Sequence, residues 1–445
     1  MVGIRVRYGV VGIAAVGFSI LGCTLASVRF PEIPGFGGQA QAVDLIAYVG
    51  SDGNVYTVDP EGGNVVALTD DAQRIPDANG ALHYYSDPAW APGKTGLAFL
   101  EAAADIESGS RFSVWIRGED DSTSRIVFSS PNRVPIYLYW SPDGKQLSFL
   151  TSDTRGGPLA LHLVPIDGGA EKVIDTGQPY YWSWSPTSLD MVVHVGGSSV
   201  DQPGLARLSL LSLAPEHTAT AWDLAPLSFQ APEYSPDGGS ILLSAVSESQ
   251  GSGLLLVGSD GEVQSVLSDD KAPIAFAWNP PGEVIATMTF EPGSPAGLGR
   301  LSFLHLTDSG EVTRVDTDAE RVVAFFWSPD GKELAYFVPV APGSNGGGSN
   351  VVLQGPQVNL RLRIADPGDG KSRDVATFRP TADFVRILPF FDQYLRSTTI
   401  WSPDSRDLVL SGYDAAGQET IFVVSSDGSN EPRPIVSGTL AFWSW

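Results

Sequence analysis

The sequence predicts an all-β fold in which one unit is repeated, and two observations support this prediction. First, an aromatic residue closes a short apolar run eight times along the chain, and most runs lead into a turn of Ser, Pro, Asp and Gly. Second, the steps between the aligned aromatic positions are 44, 49 or 50 residues, with one longer step of 74. A unit of this length matches a four-stranded propeller blade, and no helical periodicity competes with it.

The aromatic positions and the turns after them define the repeat. The aligned aromatic residues are Trp90, Trp140, Trp184, Tyr234, Trp278, Trp327, Trp401 and Trp445. We expect each to fill the wedge between its blade and the next. The turns carry Asp143, Asp237, Asp330 and Asp404. In such turns Pro presets the backbone, Asp bonds its own backbone, and Gly adopts a positive φ. We interpret the Asp residues as structural, because no stretch has the ligand order of a calcium loop.

Each unit reads as four short strands. In the second unit these are residues 136–140, 147–150, 159–164 and 171–174. Asp- and Gly-rich turns, at 51–54, 167–169, 259–261, 308–310 and 426–428, are interpreted as hairpins between the third and fourth strands.

The two chain ends predict how the ring closes. Residues 439–445 supply a first strand, and residues 45–49, 55–58 and 65–68 supply the three strands that this blade lacks. The prediction is a single eight-bladed β-propeller of four-stranded blades over residues 43–445, closed by a blade shared between the N- and C-termini. Such closure removes unpaired sheet edges.

The N-terminal 42 residues read as a targeting segment and a tether. Arg5 and Arg7 precede an apolar stretch over residues 8–21, as in a secretory signal. The only cysteine, Cys23, follows Ile20-Leu21-Gly22, which resembles a bacterial lipoprotein box and predicts lipidation. The alternatives are an uncleaved spanning helix over residues 8–28 and soluble secretion after residues 40–42. Residues 1–23 are the signal, lipoprotein or anchor segment, and residues 24–42 are a Gly/Pro-rich tether. All three alternatives place the propeller outside the cytoplasm; lipidation or a spanning helix would anchor it to the bacterial cytoplasmic membrane.

Charge and motif content exclude several function classes. The formal net charge of −24 argues against nucleic acid and against direct binding to anionic lipid. The five histidines lack the spacing of a zinc helix, so we predict no metal site and no cofactor. There is no Gly-x-Ser-x-Gly elbow, phosphate loop or dinucleotide fingerprint, and therefore no catalytic residues are assigned.

The motif Trp-Ser-Pro-Asp-Gly-Lys at 327–332, followed by the strand Leu-Ala-Tyr-Phe at 334–337, resembles TolB-type, WD-repeat-like propellers. The resemblance covers residues 43–445 and implies the fold. Similar propellers gate the active site of prolyl-oligopeptidase and dipeptidyl-peptidase families, where a hydrolase domain accompanies them. This chain ends inside the last blade, so the resemblance is to a propeller without an attached hydrolase domain, and it argues against peptidase activity.

Unequal loops predict where a partner binds. Loops between second and third strands share one face of a propeller with the connections between blades, and here they are long, at 104–111, 151–158, 196–205, 291–299 and 341–350. Function tends to occupy elaborated loops on a rigid scaffold. The segment 378–396, on the same face, mixes aromatic and arginine residues as interface anchors do. The predicted binding residues are Tyr84, Tyr85, Phe384, Arg386, Phe390, Phe391, Asp392, Tyr394 and Arg396. The alternative is that these side chains plug the mouth of the channel.

The sequence therefore predicts a monomeric, extracytoplasmic, non-catalytic module that binds a protein, peptide or cell-envelope glycan through its long-loop face. The alternative is an enzyme or enzyme subunit, hydrolase-associated or of the dehydrogenase type, with chemistry at the channel mouth. A pocket with converging carboxylates or histidines would favour catalysis, and a broad aromatic surface would favour docking.

Overall fold

The computed structural model describes residues 44–77, 80–118, 123–198, 206–214, 217–269, 273–290, 298–307, 310–319, 321–340 and 358–445. Residues 44–445 form one compact unit of eight antiparallel sheets. The predicted signal or anchor, Cys23 and the tether lie outside the described residues. Within the described part of the chain, no helix has the length and apolar character needed to span a membrane.

The strands run in chain order, four to most blades. The chain enters with β1 (Ile46–Val49), β2 (Val55–Val58) and β3 (Val66–Ala67). Blade 1 has β4 (Leu82–Trp90), β5 (Gly96–Asp105), β6 (Gly109–Gly118) and β7 (Arg125–Ser130), with a 3-10 turn at Pro92–Lys94. Blade 2 has β8 (Arg133–Trp140), β9 (Gln146–Asp153), β10 (Leu159–Pro165) and β11 (Lys172–Gly177). Blade 3 has β12 (Tyr180–Trp184), β13 (Asp190–Val195), β14 (Arg207–Ser212) and β15 (Ala219–Ala221).

The second half of the ring repeats this order. Blade 4 has β16 (Ala225–Pro226), β17 (Glu233–Tyr234), β18 (Ile241–Ser247), β19 (Gly251–Val257) and β20 (Val263–Ser268). Blade 5 has β21 (Pro273–Trp278), β22 (Val284–Phe290), β23 (Gly299–Leu306) and β24 (Val312–Asp316). Blade 6 has β25 (Ala324–Trp327), β26 (Leu334–Val340), β27 (Asn359–Ala365) and β28 (Ser372–Phe378). Blade 7 has β29 (Asp407–Tyr413), β30 (Glu419–Ser425) and β31 (Arg433–Ser437), and the chain ends with β32 (Leu440–Trp443).

The shared eighth blade is confirmed. Its strand order is β3-β2-β1-β32, with Ile46 opposite Trp443 and Val49 opposite Leu440. The pairing also corrects the alignment of the last repeat. In blade 6 the motif aromatic, Trp327, pairs with Leu334 at the start of the second strand. In blade 8 the residue that pairs with the start of the second strand, Ile46, is Trp443. The motif aromatic of blade 8 is therefore Trp443 rather than Trp445.

Three loops differ from the sequence interpretation. Residues 51–54 join β1 to β2, the second and third strands of blade 8, not the third and fourth. The predicted long loop 104–111 is largely strand, since β5 and β6 remain paired up to Asp105 and Gly109. The loop 151–158 shortens to the link between Asp153 and Leu159. Most of the loops 196–205, 291–299 and 341–350 lies outside the described residues.

The motif tryptophans of blades 2, 6 and 7 hydrogen-bond to the preceding blade, whereas the sequence interpretation placed them against the following one. The indole N–H of Trp140 donates to the carbonyl of Ala89 at 3.0 Å, that of Trp327 to Ala277 at 3.1 Å, and that of Trp401 to Phe326 at 2.9 Å. Each acceptor precedes the motif aromatic of the earlier blade. The aromatics are buried, apart from half-buried Trp327 and exposed Trp445.

The Asp residues of the turns are structural in the places where the motif is complete. The Ser141 hydroxyl donates to Asp143 at 2.6 Å and accepts from the backbone N–H of Gln146 at 2.9 Å. Equivalent Ser-to-Asp bonds join Ser235 to Asp237, Ser328 to Asp330 and Ser402 to Asp404. These bonds close the turn that leads into the second strand of each blade.

Blade 7 has a divided inner strand. Trp401 pairs with Leu408, but Gly412, which would face residue 397 in an uninterrupted strand, pairs with Pro380 instead. Pro380 thus takes the position of residue 397, which means that 17 residues are inserted into this strand. The insertion holds α1 (Ala382–Ile387), a 3-10 turn (Leu388–Phe390) and α2 (Phe391–Tyr394). The Thr381 hydroxyl caps α1 by accepting from the N–H of Phe384 at 3.2 Å. Together with the length of chain between β26 and β27, the insertion accounts for the 74-residue step.

Candidate functional site: the central channel and its funnel

Residues 382–398, which we call the plug, pack against the inner strands around the channel. Three plug aromatics are buried and meet wall rings edge to face. Phe384 contacts Phe337 with ring centroids 5.5 Å apart, and Phe391 contacts Phe325 at 5.0 Å. Tyr394 contacts Tyr137 at 5.0 Å. The plug therefore joins the hydrophobic core of the surrounding blades.

The side chain of Gln393 forms hydrogen bonds with the edge of an inner strand that no other described strand pairs with. Its Oε1 accepts from the backbone N–H of Trp182 at 3.0 Å, and its Nε2 donates to the Trp182 carbonyl at 2.8 Å. The Tyr137 hydroxyl donates to the Gln393 carbonyl at 2.6 Å. An inner strand has a partner on one side only, so its other edge needs hydrogen bonds from within the channel. The plug supplies them.

The backbone of Ala231 in blade 4 receives a second set of bonds. Its N–H donates to Asp392 Oδ2 at 2.9 Å, and its carbonyl accepts from Arg396 Nη2 at 3.2 Å. Arg396 Nη2 also lies 3.3 Å from the Phe276 carbonyl of blade 5. These groups are available because the first strand of blade 4 is divided between β16 and β17.

Blade 1 holds the plug through an ion pair. Arg386 Nη2 donates to Asp87 Oδ1 at 2.8 Å, and the Tyr394 hydroxyl lies 3.5 Å from the same oxygen. Asp87 and Tyr137 both have a positive φ, 52° and 50°, at irregularities of β4 and β8. Both residues lie three positions before the motif Trp of their blade, and their bulges place a polar group toward the plug.

The channel interior holds three carboxylates, Asp87, Glu233 and Asp392, beside two guanidinium groups, Arg386 and Arg396. Glu233 Oε1 pairs with Arg396 Nη1 at 2.5 Å. Burial raises the pKa of the Glu233 carboxyl, although Arg396 and the Trp278 N–H oppose this. Burial raises the pKa of Asp392 to about 6, against the opposing effects of the Ala231 N–H and Arg396. Asp392 therefore titrates in the acidic range rather than staying ionised throughout it.

The structure brings together most of the predicted binding residues and separates two of them. Phe384, Phe391, Asp392, Tyr394 and Arg396 lie against the channel wall, as in the plug alternative. Arg386 and Phe390 keep about half of their side-chain surface exposed, at 47% and 50%. Tyr85 is instead buried against Phe99 and Trp115, with its hydroxyl donating to Asp71 at 2.9 Å, and Tyr84 is half-buried. Partner binding by these residues stays a prediction.

The face that carries the Ser-Pro-Asp-Gly turns opens into a funnel of about 530 Å³. Blades 2 to 6 each contribute their motif proline, Pro142, Pro186, Pro236, Pro280 and Pro329, to its wall. Aromatic side chains between them are Tyr139, Trp184, Tyr234, Trp278, Phe325, Phe326, Trp327 and Trp445. The plug residues Leu395, Arg396 and Thr398 also line this cavity. The funnel was missed by sequence reasoning, which treated the motif only as a turn and a core anchor.

Polar groups in the funnel largely bond within the protein. Asn279 accepts from the N–H groups of Glu283 and Val284 at 2.9 Å, and Glu233 accepts from Trp278 N–H at 2.9 Å besides pairing with Arg396. The Thr398 hydroxyl donates to the Tyr394 carbonyl at 2.9 Å. The surface offered to a ligand is therefore mainly aromatic and aliphatic.

Trp445 occupies the place of the motif proline in blade 8. Ser444 Oγ accepts from the N–H of Leu45 at 3.1 Å, as Ser141 accepts from Gln146, so Ser444 is the motif serine and Trp445 follows it. The Trp445 side chain is 41% exposed at the funnel, where five other blades place a proline. The signal was present in the sequence as the triplet Trp-Ser-Trp.

A second cavity, of about 340 Å³, lies beside blade 1 and is lined by Gln73, His83, Asp105 and Arg111 among others. Behind it, Glu101 is buried and accepts bonds from Arg111 Nη2 at 2.5 Å and from the Trp115 indole N–H at 2.9 Å; His83 Nε2 lies at 2.9 Å. Burial would raise the pKa of Glu101, but these hydrogen bonds hold it below its ordinary value. Across the described residues, no group of three or more His, Cys, Asp or Glu side chains is arranged to hold a metal ion.

No family model matches this chain, and no curated protein matches it. Among solved structures, similar ones include TolB from Acinetobacter baumannii, with 15% identity and a TM-score of 0.41 over 89% of this chain and 81% of that one. Oligogalacturonate lyase from Vibrio parahaemolyticus matches with 13% identity and a TM-score of 0.47, over 86% and 97%. The β-propeller domain of the Trilobed protease from Pyrococcus furiosus matches with 14% identity and a TM-score of 0.47, over 80% and 96%. TolB, which the motif resembles, is thus among the neighbours, and the eight-bladed architecture rests on the strand pairing described above.

Proposed function

We propose that this protein is a non-catalytic binding module and that its ligand enters the funnel on the face of the Ser-Pro-Asp-Gly turns. The observation that carries the proposal is the aromatic and proline lining of a cavity of about 530 Å³. Concave, largely apolar sites of this size are where proteins bind ligands. This places the site opposite to the long-loop face that the sequence favoured.

The ligand that fits is an apolar segment of a protein or peptide rather than a glycan. A sugar that enters the funnel would lose hydrogen bonds to water, and the polar lining groups around Asn279 and Glu233 are already engaged. Proline, aliphatic or aromatic side chains lose no such bonds and pack against Trp445 and its neighbours.

Chemistry at the channel mouth is the weaker alternative. The one carboxylate among the described lining residues is Glu233, which pairs with Arg396, and the described lining contains no histidine. A general acid–base pair needs a second titratable group within reach of the substrate. The lining tyrosines, Tyr139 and Tyr234, have their pKa raised by burial and so stay protonated near neutral pH. We further propose that the propeller acts outside the cytoplasm, tethered through its N-terminal segment; this rests on the sequence of residues 1–42 alone.

The test is selection of ligands by the immobilised protein. A displayed library of random peptides and an array of cell-wall glycans are each applied to the wild-type protein and to Trp445→Ala, which removes the exposed ring. We expect peptides rich in proline and aromatic residues to be enriched on the wild type and to bind the variant at least about tenfold more weakly. Equal enrichment of peptides on both proteins contradicts the proposal. Glycan binding that is as strong on Trp445→Ala as on the wild type also contradicts it.

A further inference from the structure

We infer that the channel wall is a peptide-binding surface which the plug occupies in cis, so that a peptide with the chemistry of the plug can take its place in trans. The recognised sequence is of the type Phe391-Asp392-Gln393-Tyr394, an acid and a primary amide between two aromatic residues.

The ring closes without the plug. Both flanks of the insertion pair with β29: Thr381 N–H donates to the Ser411 carbonyl at 3.0 Å, and Val409 N–H donates to the Ile400 carbonyl at 2.8 Å. Residues on either side therefore complete the inner strand of blade 7. The helices between them add no strand to any sheet.

The plug contacts the wall as a bound peptide contacts a receptor. Aromatic anchors enter apolar sites, and polar side chains bond main-chain groups of the wall, as in peptide recognition at strand edges. Gln393 bonds both polar backbone atoms of Trp182, and Asp392 accepts from Ala231. Arg386 pairs with Asp87 on a third blade. Each of these bonds joins a plug side chain to a wall group that no strand satisfies.

The covalent attachment of the plug explains why the surface is masked in the wild-type protein. A segment tethered at both ends acts at an effective concentration of about millimolar, so a free peptide at micromolar concentration cannot compete with it. Weakening the plug without changing the wall should therefore reveal the binding surface.

The experiment uses the full chain with Gln393→Ala and Asp392→Ala together, which leaves every wall residue intact. A fluorescently labelled synthetic peptide of residues 381–398 is titrated, and its anisotropy is followed. We expect no binding of the peptide to the wild type at concentrations up to about 100 µM. The double variant should bind it with a dissociation constant of about 10 µM or below. A scrambled peptide should bind neither protein. Adding Asp87→Asn to the double variant should weaken binding about tenfold, since the charge-assisted bond to Arg386 is lost.

Hydrogen exchange of the plug amides, read in the same variant, makes each outcome decisive. Binding of the native but not the scrambled peptide supports the inference. A folded double variant that takes up no peptide overturns it, whether its plug amides exchange freely or only on global unfolding. A double variant that fails to fold overturns it too, since the plug is then part of the folding core. Funnel binding is measured on the wild-type protein and on Trp445→Ala, both of which keep the plug unchanged, so its outcome is independent of this one.

Discussion

Gln393 bonds Trp182 as a neighbouring strand would, with one acceptor and one donor on a single side chain, at 3.0 and 2.8 Å. A primary amide carries its donor and its acceptor side by side, so it can bond the N–H and the carbonyl of one residue together. The inner edge of blade 3 is thereby satisfied by a side chain rather than by backbone.

Replacing Gln393 tests this relationship. Gln393→Ala leaves a buried N–H and a buried carbonyl without partners, and we expect the free energy of unfolding to fall by about 2–4 kcal/mol. Gln393→Glu should cost more, because it buries a carboxylate and removes the donor to the Trp182 carbonyl. Urea denaturation measures both. The matched control is exposed Gln418→Ala, expected to change stability by less than about 0.5 kcal/mol; equal effects of the two alanine substitutions would refute the role of Gln393.

Trp401 is the best test of the blade-to-blade contact, because it is fully buried and donates to the Phe326 carbonyl. Trp401→Ala should lower stability by about 3–5 kcal/mol. Trp401→Phe keeps most of the packing and loses the hydrogen bond, so a loss of about 1–2 kcal/mol is expected. Trp445→Ala, at the exposed rim, should cost under about 1 kcal/mol. A loss below about 1 kcal/mol for Trp401→Ala in chemical denaturation is incompatible with the wedge role.

The raised pKa of Asp392 predicts that the free energy of unfolding decreases as the pH rises. Its pKa is about 6 in the folded protein and near 3.8 when unfolded, so the folded state binds more protons between these values. Stability from this group is therefore fully present below about pH 4 and is lost as pH rises through 6, by about 3 kcal/mol.

Asp392→Asn should remove this contribution. Because many other carboxyls titrate in the same range, the measured quantity is the difference in unfolding free energy between variant and wild type at each pH from 4 to 7. The variant should gain about 3 kcal/mol relative to the wild type across that range. Parallel stability profiles would show that Asp392 does not hold a proton in the folded protein.

Ring closure depends on β32. Leu440, Phe442 and Trp443 are all buried, and they form the innermost strand of blade 8. Removing residues 439–445 should abolish cooperative thermal unfolding or lower Tm by more than about 10 °C. Removing Trp445 alone should leave Tm within about 2 °C. A long truncation that melts like the intact protein would exclude closure by this strand.

Sequence reasoning succeeded where chemistry repeats. The Ser, Pro, Asp and Gly of the motif each have a local reason to form a turn. Eight aromatic positions, separated by 44 to 50 residues except for one step of 74, specify the ring. The last repeat failed by two residues because two tryptophans flank Ser444. The serine decides the register, since its hydroxyl accepts from the strand that follows, and an alignment of aromatics alone ignores this bond.

The position of the plug could be predicted from sequence, but whether it binds a partner or fills the channel could not. Phe384, Phe391 and Tyr394 have the composition of an interface and of a core alike, because both bury aromatic area. Its partners, the Trp182 and Ala231 backbones, have no side-chain signature at all. The funnel was hidden for a related reason, since each proline looks like a turn residue until five of them face a common axis.

The divided inner strand of blade 7 has a consequence for how such rings diversify. Pro380 and Trp401 pair with the same strand four positions apart, at Gly412 and Leu408, so the chain can leave the sheet and return to it almost where it left. The segment inserted in the channel can thus vary in length and composition while the eight blades keep their arrangement. A designer could graft a foreign loop at this junction and change the interior without rebuilding a single blade.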